Sequence, residues 1–198
     1  MQTITGLFDN YDDANDAMGE LVATGVPRDE ISIVANNATG WYKADETEAG
    51  EDAAAGAGLG AVIGGAGGLA TGLGLMAIPG LGPVVAAGWL AATAVGAVGG
   101  AVVGGAAGGI IGAMTKAGVP ENDAHVYAEG VRRGGTMVTA RVEDNLAPNA
   151  EQILKQYNSV DIADRRSEYE VSGWTGFDPE ADVYPEEDLR RVGRGRDL

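Results

Sequence analysis

A long uncharged segment with glycine at every fourth position is the feature that most constrains this chain. Residues 53–115 contain no Asp, Glu, Lys or Arg. Residues four apart lie above one another on an α-helix, so each repeat would form a stripe without side chains along one helix face. Such a stripe lets two backbones approach closely, as in small-xxx-small helix interfaces. The stripe residues are Gly56, Gly60, Gly64, Gly68 and Gly72 in the first run, and Gly88, Ala92, Gly96, Gly100, Gly104, Gly108 and Gly112 in the second.

The glycine repeats predict a helical hairpin that associates with itself. Glycine costs about 1 kcal/mol relative to alanine inside a helix, so the segment needs close packing or exclusion from water to be helical. Two prolines and two glycines fall within residues 78–83, and they would interrupt a helix. We therefore predict a glycine-zipper α-helical hairpin over residues 53–117, with helices at about 53–77 and 84–117 and self-association through the stripe glycines.

Three arrangements of this hairpin are compatible with the sequence. Each helix is uncharged and long enough to cross the roughly 30 Å hydrocarbon core of a lipid bilayer, so the hairpin can insert into a membrane. It can also pack against hairpins of other copies in a soluble homo-oligomer, or pack within its own chain. Residues 1–5 show no basic region followed by an apolar run, so no signal peptide is expected. The predicted location is in the membrane or at its cytoplasmic side, with the cytoplasm as the alternative.

The first 37 residues predict half of an α+β domain. Residues 2–8 and 31–35 are typical of strands, and Asn10 can cap a helix between them. Gly25 and Pro27 would end that helix. Its apolar face is formed by Ala14, Ala17, Met18, Leu21 and Val22.

The residues after the glycine segment predict a second half. Strands are expected at 124–129 and 137–142, joined by a turn at 132–135, with a last strand at 160–163. A helix with its cap near Asn149 would lie between the last two strands, and His125 would lie on the first. The apolar residues of that helix are Ala150, Ile153, Leu154 and Tyr157.

Together the halves predict a ferredoxin-like α+β fold with an antiparallel sheet and packed helices, interrupted by the glycine-zipper hairpin. A Gly-Val-Pro turn at 25–27 recurs at 118–120, which indicates a diverged internal duplication. The predicted divisions are the first half at 1–37, an acidic linker at 38–52, the hairpin at 53–117, the second half at 118–163 and a polar tail at 164–198. Trp174, Phe177 and Tyr184 would dock that tail onto its own domain or onto a neighbouring subunit.

Composition disfavours catalysis. The chain has no cysteine and one histidine, which excludes thiol nucleophiles and makes zinc binding or histidine-based catalysis unexpected. The carboxylates at 45–52 lack EF-hand spacing, and the glycines at 56–60 lack the Lys-Ser/Thr of a phosphate-binding loop. A net charge of −16 disfavours nucleic acid as a partner. We predict a non-enzymatic protein without catalytic, cofactor-binding or metal-binding residues, whose partners are other copies of itself and, in one arrangement, a lipid bilayer.

Several motifs resemble those of a bacterial and archaeal family of general-stress (heat-induced) proteins, which combine a ferredoxin-like domain with a glycine-zipper segment. The motifs are Gly6-Leu7-Phe8-Asp9 with Ala14 and Ala17, Gly118-Val119-Pro120, Tyr127-Ala128-Glu129-Gly130-Val131-Arg132-Arg133-Gly134-Gly135, and Gly173-Trp174-Thr175-Gly176-Phe177-Asp178. The resemblance implies a stress-associated protein. It supplies no catalytic residues.

Overall fold

A computed structural model describes residues 1–42, 74–78, 80–90, 93, 109–185, 187 and 189. These residues form five strands and five α-helices. In chain order they are β1 (Gln2–Phe8), α1 (Tyr11–Ala23), a 3₁₀ turn (Arg28–Glu30), β2 (Ile31–Asn36), β3 (Gly74–Ile78), β4 (Gly82–Ala87), α2 (Ile110–Lys116), α3 (Glu121–Arg132), β5 (Thr136–Val142), α4 (Ala147–Gln156) and α5 (Ile162–Val171).

The five strands form one antiparallel sheet in the order β1-β5-β2-β4-β3. The last of the described strands, β5, therefore lies between the first two. Because β1 and β2 both run antiparallel to β5, the unit β1-α1-β2 is a split β-α-β unit with β5 inserted. The unit from β4 through α2 and α3 to β5 is split in the same way by β2. The two split units are interlocked, because each contributes the strand that splits the other.

Helices cover both faces of the sheet. On one face α1 and α4 bury Phe8, Leu21 and Ile33, and on the other α2 and α3 bury Leu7, Val34 and Met114. Every residue of β2 is buried, as expected for a central strand between two layers. The predicted α+β class with an antiparallel sheet is confirmed. The described body has three layers, whereas helices on a single face would make two.

The first predicted half is confirmed element by element. Strands β1 and β2 lie where they were expected, and α1 begins after Asn10, whose side-chain oxygen accepts a 2.8 Å hydrogen bond from the backbone N–H of Asp13. Ala14, Ala17, Met18 and Leu21 form the buried face of the helix, whereas Val22, which was also predicted on this face, is 38% exposed. Amphipathic periodicity and a cap were sufficient here because α1 packs with one face only.

The predicted glycine-zipper helices are wrong at residues 74–77 and 84–87, which belong to the strands β3 and β4. The turn between them was expected, but it connects strands: Gly80 and Gly82 have φ of 75° and 80°, and Leu81 is buried. Short apolar runs buried on one or both faces lack the alternation that distinguishes strands from helices. The end of the second predicted helix is confirmed as α2. Residues 53–73 and 94–108 lie outside the described residues.

The predicted strand at 124–129 is also wrong, because this segment belongs to α3. Pro120 precedes the helix, Glu121 and Asp123 occupy its first turn, and buried Ala124, Ala128 and Val131 recur at helical spacing. The expected turn at 132–135 is the C-terminal end of α3, where Gly135 N–H donates to Gly130 O at 2.9 Å. The strand at 137–142 is confirmed.

The Gly-Val-Pro turns share a helix ending and then diverge. Gly25 and Gly118 have φ of 99° and 98°, and in each case the next valine donates its N–H back to the last turn of the helix, at 3.1 and 3.0 Å. The first turn leads to a strand, but the second leads to α3, so the predicted helix-to-strand connection is wrong there. The likeness between the halves is limited to this helix ending.

Two predictions near the C-terminus are corrected. The expected strand at 160–163 is the start of α5, since the side chain of Asp161 accepts hydrogen bonds from the N–H groups of Ala163 and Asp164 and thereby caps a helix. The predicted amphipathic helix is confirmed as α4, but Asn149 lies inside it, after Pro148 in the first turn.

Candidate functional site

The segment 173–185, which we call the strap, crosses one side of the body and contacts several elements in turn. Trp174 packs edge-on against Tyr169 of α5, with ring centroids 5.7 Å apart. Phe177 is buried in the core that α2 and α3 share with the sheet. Further along, Pro179 and Val183 lie against Gly80 and Gly82 of the β3–β4 turn. The aromatic residues predicted to dock the tail thus dock it onto its own domain.

His125 fixes the middle of the strap. It lies on α3, not on a strand, and its Nδ1 accepts a 3.1 Å hydrogen bond from the backbone N–H of Phe177. A Cβ added at Gly176 would lie 3.8 Å from the same nitrogen. The imidazole is therefore a structural acceptor for the strap backbone.

A buried ion cluster holds the end of the strap. The Glu129 side chain is inaccessible to solvent and contacts Nε of Arg133 at 2.6 Å and Nη1 of Arg132 at 3.3 Å. The hydroxyl of Tyr184 lies 3.4 Å from the same carboxylate, and its ring lies 4.8 Å from the Arg132 guanidinium. A second ring, that of Tyr169, lies 4.2 Å from Arg133.

This cluster is suited to holding the strap against α3. Two guanidinium groups compensate one buried carboxylate, which is the condition under which buried charge is tolerated. Arg132 also donates to the backbone oxygen of Asp182 in the strap, at 2.6 Å. Through this bond and the contacts of Tyr184, the cluster secures the strap to α3.

Helix α5 is held by a second ion pair at the end of β1. Arg165 donates two hydrogen bonds to Asp9, at 2.8 and 3.1 Å. Burial lowers the pKa of this guanidinium, but its hydrogen bonds to Asp9 and the charge of Asp9 outweigh burial, so the net pKa is raised. The pair therefore stays charged and joins α5 to the end of β1.

The two edges of the sheet differ in how they are covered. On the outer side of β1, the Tyr127 hydroxyl donates to Thr5 O at 2.9 Å, and Val160 N–H donates to Leu7 O at 2.8 Å. Burial raises the pKa of Tyr127, which keeps the hydroxyl protonated as a donor. On the other edge, β3 pairs with β4 alone among the described strands. Leu75 on this strand is 45% exposed.

Two of the predicted self-association glycines lie within the described residues. Gly88 is not on a helix: it follows β4 with φ 92°, and an added Cβ would lie 2.3 Å from the carbonyl oxygen of Ile31. The prediction of a helical stripe position is wrong there, because the residue is needed for a close approach to β2. Gly112 lies on α2 with no atom within 4 Å of an added Cβ. The remaining stripe residues lie outside the described residues, namely Gly56, Gly60, Gly64, Gly68, Gly72, Ala92, Gly96, Gly100, Gly104 and Gly108.

Other candidate sites can be located only in part. Among the described residues, no group of three or more His, Asp or Glu side chains is arranged to hold a metal ion. The acidic residues at 45–52 lie outside those residues. None of the helices that the structure describes has the length and apolar character needed to cross a membrane.

Sequence analysis missed the ion cluster and the exposed edge. Arg132 and Arg133 follow Glu129 at i+3 and i+4, which is the spacing of a helical ion pair, so the signal was present once α3 is recognised. No local sequence pattern predicts that β3 is an edge strand, because the position of a strand in the sheet depends on residues distant in sequence. Comparison with protein-family models, with curated proteins and with solved structures gives no match for this chain.

Proposed function

We propose that this chain is a non-enzymatic, stress-associated protein that assembles with other copies of itself through its uncharged glycine-rich stretches, residues 53–73 and 94–108. The observation that carries the proposal is where the flanking residues lie. Ile78 follows the first stretch, Leu90 precedes the second and Ile110 follows the second, and all three side chains are buried. Helices of the described body cover both faces of its sheet, and we assign the contacts with other copies to the two stretches.

Charge favours these stretches as the contact surface. The chain carries a net charge of −16, so two bodies repel each other at most of their surfaces. Residues 53–73 and 94–108 contain no charged side chain. Their small residues allow the close backbone approach that glycine stripes use. Uncharged, small-residue segments are therefore where copies can meet at least electrostatic cost.

The position of the β3–β4 turn supports a soluble scaffold as the form of the assembly. A membrane hairpin with its tip at residues 78–83 would carry that turn across the bilayer, whereas Leu81 is buried in the body, 1% exposed. The proposed location is the cytoplasm. Association with the cytoplasmic side of a membrane through residues 53–73, which are long enough to span one, is the alternative that the experiment below distinguishes.

The stress setting rests on the motifs quoted above. Support comes from contacts between two of them: Phe177 of the segment 173–178 shares a core cluster with Tyr127, Ala128 and Val131, and its N–H donates to the neighbouring His125. The proposed relation to ferredoxin-like proteins is limited to the two interlocked split units. An increase in the abundance of this protein after a heat shock, measured by quantitative proteomics, would support the setting, and unchanged abundance would count against it.

The assembly is tested by Gly64→Leu and Gly104→Leu, compared with Gly19→Leu as the matched control. Gly19 is exposed on α1 with no atom within 4 Å of an added Cβ. Overpacking costs about 1–3 kcal/mol at each site, so sedimentation should show smaller species for the first two variants and wild-type species for the control. Assemblies of unchanged size in both would contradict the proposal. Retention of the wild type in carbonate-washed membranes would favour the membrane alternative over the scaffold.

A further inference from the structure

We infer that the outer edge of β3 is a docking site for a second copy of this chain, which adds its own β3 in antiparallel register. This inference goes beyond the proposed function, because it uses none of the glycine stripe residues. It rests on the backbone direction of one strand, on the charge around it and on the contrast with the opposite edge of the sheet.

The hydrogen bonds of β4 fix which groups of β3 face outward. Asn37 N–H donates to Pro83 O at 2.8 Å, so the backbone of Pro83 faces β2. Backbone groups alternate along a strand, and the next residue of β4 therefore faces β3, where it pairs with Met76. Leu75 and Ala77, on either side of Met76, then direct their N–H and C=O groups away from β4.

These outward groups are complementary to themselves. With a two-fold axis at Met76, Leu75 of one copy lies opposite Ala77 of the other, and the reverse pair forms at the same time. Each pair can exchange two backbone hydrogen bonds, which makes four in all. This is an isologous contact that closes as a dimer.

Charge favours a second copy as the occupant. Residues 74–90 contain no charged side chain, in a chain whose net charge is −16. Sheet edges are commonly protected by lysine or by covering segments, and β3 carries neither among the described residues. The β1 edge, in contrast, is closed by Tyr127 and Val160. An uncharged, self-complementary edge matches another uncharged edge better than it matches a basic or acidic partner.

The register is tested with full-length chains carrying paired charges. One variant is Leu75→Lys with Ala77→Lys, and the other is Leu75→Glu with Ala77→Glu. In each variant alone, the two-fold axis places like charges directly opposite, which destabilises strand pairing. An equimolar mixture allows a mixed dimer, in which every lysine faces a glutamate. We expect about tenfold or more weaker dimerisation for each variant alone, and recovery in the mixture, by sedimentation velocity at 0.15 M salt.

Two controls exclude effects of net charge and of misfolding. The same exchanges at Val22 and Val171, which are exposed on α1 and α5, change the net charge equally and should leave dimerisation at the wild-type level. Ala77→Pro removes an outward donor without removing a bond to β4, so the fold should survive while dimerisation weakens. Circular dichroism verifies folding in every variant.

The inference is overturned if the wild type forms no dimer, if the folded charge variants dimerise like the wild type, or if the mixture does not recover. Gly64→Leu and Gly104→Leu separate it from the proposed function. If those variants reduce the large assemblies but leave a dimer that the β3 charges abolish, both proposals hold. If they remove all association while the β3 variants remove none, the glycine stretches are the interface and the β3 edge is not.

Discussion

At the scale of residues, individual glycines in this chain have opposite roles that the sequence does not distinguish. Gly88 and Gly19 are both single glycines between larger residues. The first has φ 92° and lies against the carbonyl of Ile31, while the second lies on an open helix surface. A substitution at each position separates a required glycine from a merely tolerated one.

Gly88→Ala should destabilise the body by about 2–5 kcal/mol, since the added methyl is strained by the backbone angle and overlaps the Ile31 oxygen. Gly19→Ala should stabilise it by about 0.5–1 kcal/mol, because alanine is the better helix former. Urea unfolding of both variants measures the difference. Equal free energies of unfolding would mean that Gly88 does not make the close approach described above.

At the scale of elements, Tyr127 connects α3 to the edge of β1. Its buried phenol should make the body less stable as the pH rises above 10. Burial raises the pKa of this phenol above its ordinary value of 10. Below pH 10 the folded and the unfolded chains both keep the proton, so the hydrogen bond to Thr5 contributes in full. Above pH 10 the unfolded chain releases the proton first, and the free energy of unfolding falls as the pH rises.

Tyr127→Phe should therefore cost about 1–2 kcal/mol at pH 7, because the Thr5 carbonyl loses its partner. The same variant should lose less stability than the wild type between pH 10 and pH 11.5. Chemical denaturation at pH 7 and between pH 10 and pH 11.5 measures both effects, and Tyr157→Phe, directly after α4, controls for the loss of a hydroxyl. Parallel curves for Tyr127→Phe and the wild type would contradict a buried, donating phenol.

The two helices that the sequence predicted correctly, α1 and α4, each bury a single face. Helix α1 has both the periodicity and the Asn10 cap, and α4 has the periodicity. The failures have a common cause. In β3, β4 and α3, the pattern of apolar residues depends on neighbours distant in sequence, and a Gly-Val-Pro turn preceded a strand in one place and a helix in another. The strap was predicted to dock through its aromatic residues, but its path over α3 follows from the ion cluster at Glu129.

At the scale of the whole molecule, the net charge of −16 should make stability depend on salt. Self-repulsion destabilises a compact acidic chain, and the screening length falls from about 10 Å at 0.1 M salt to about 3 Å at 1 M. The Tm should therefore rise between 0.05 and 1 M NaCl, with each kcal/mol worth about 2–4 °C for a chain of this size. Calorimetry at fixed protein concentration measures it, with sucrose of equal osmolality as the control. A Tm that stays constant or falls would show that charge repulsion does not limit stability.

The position of β5 between β1 and β2 has a consequence for how the protein is made. A ribosome synthesises β1 and β2 within the first 36 residues, yet the strand that joins them begins only at Thr136. At about 5–20 residues per second, the nascent chain carries two unjoined strands for roughly 5–20 s. During that interval the N-terminal half is exposed to aggregation and to chaperones. Completion of the sheet thus waits for the synthesis of β5, and an mRNA truncated before the codon of Thr136 would yield a product without the strand that lies between β1 and β2.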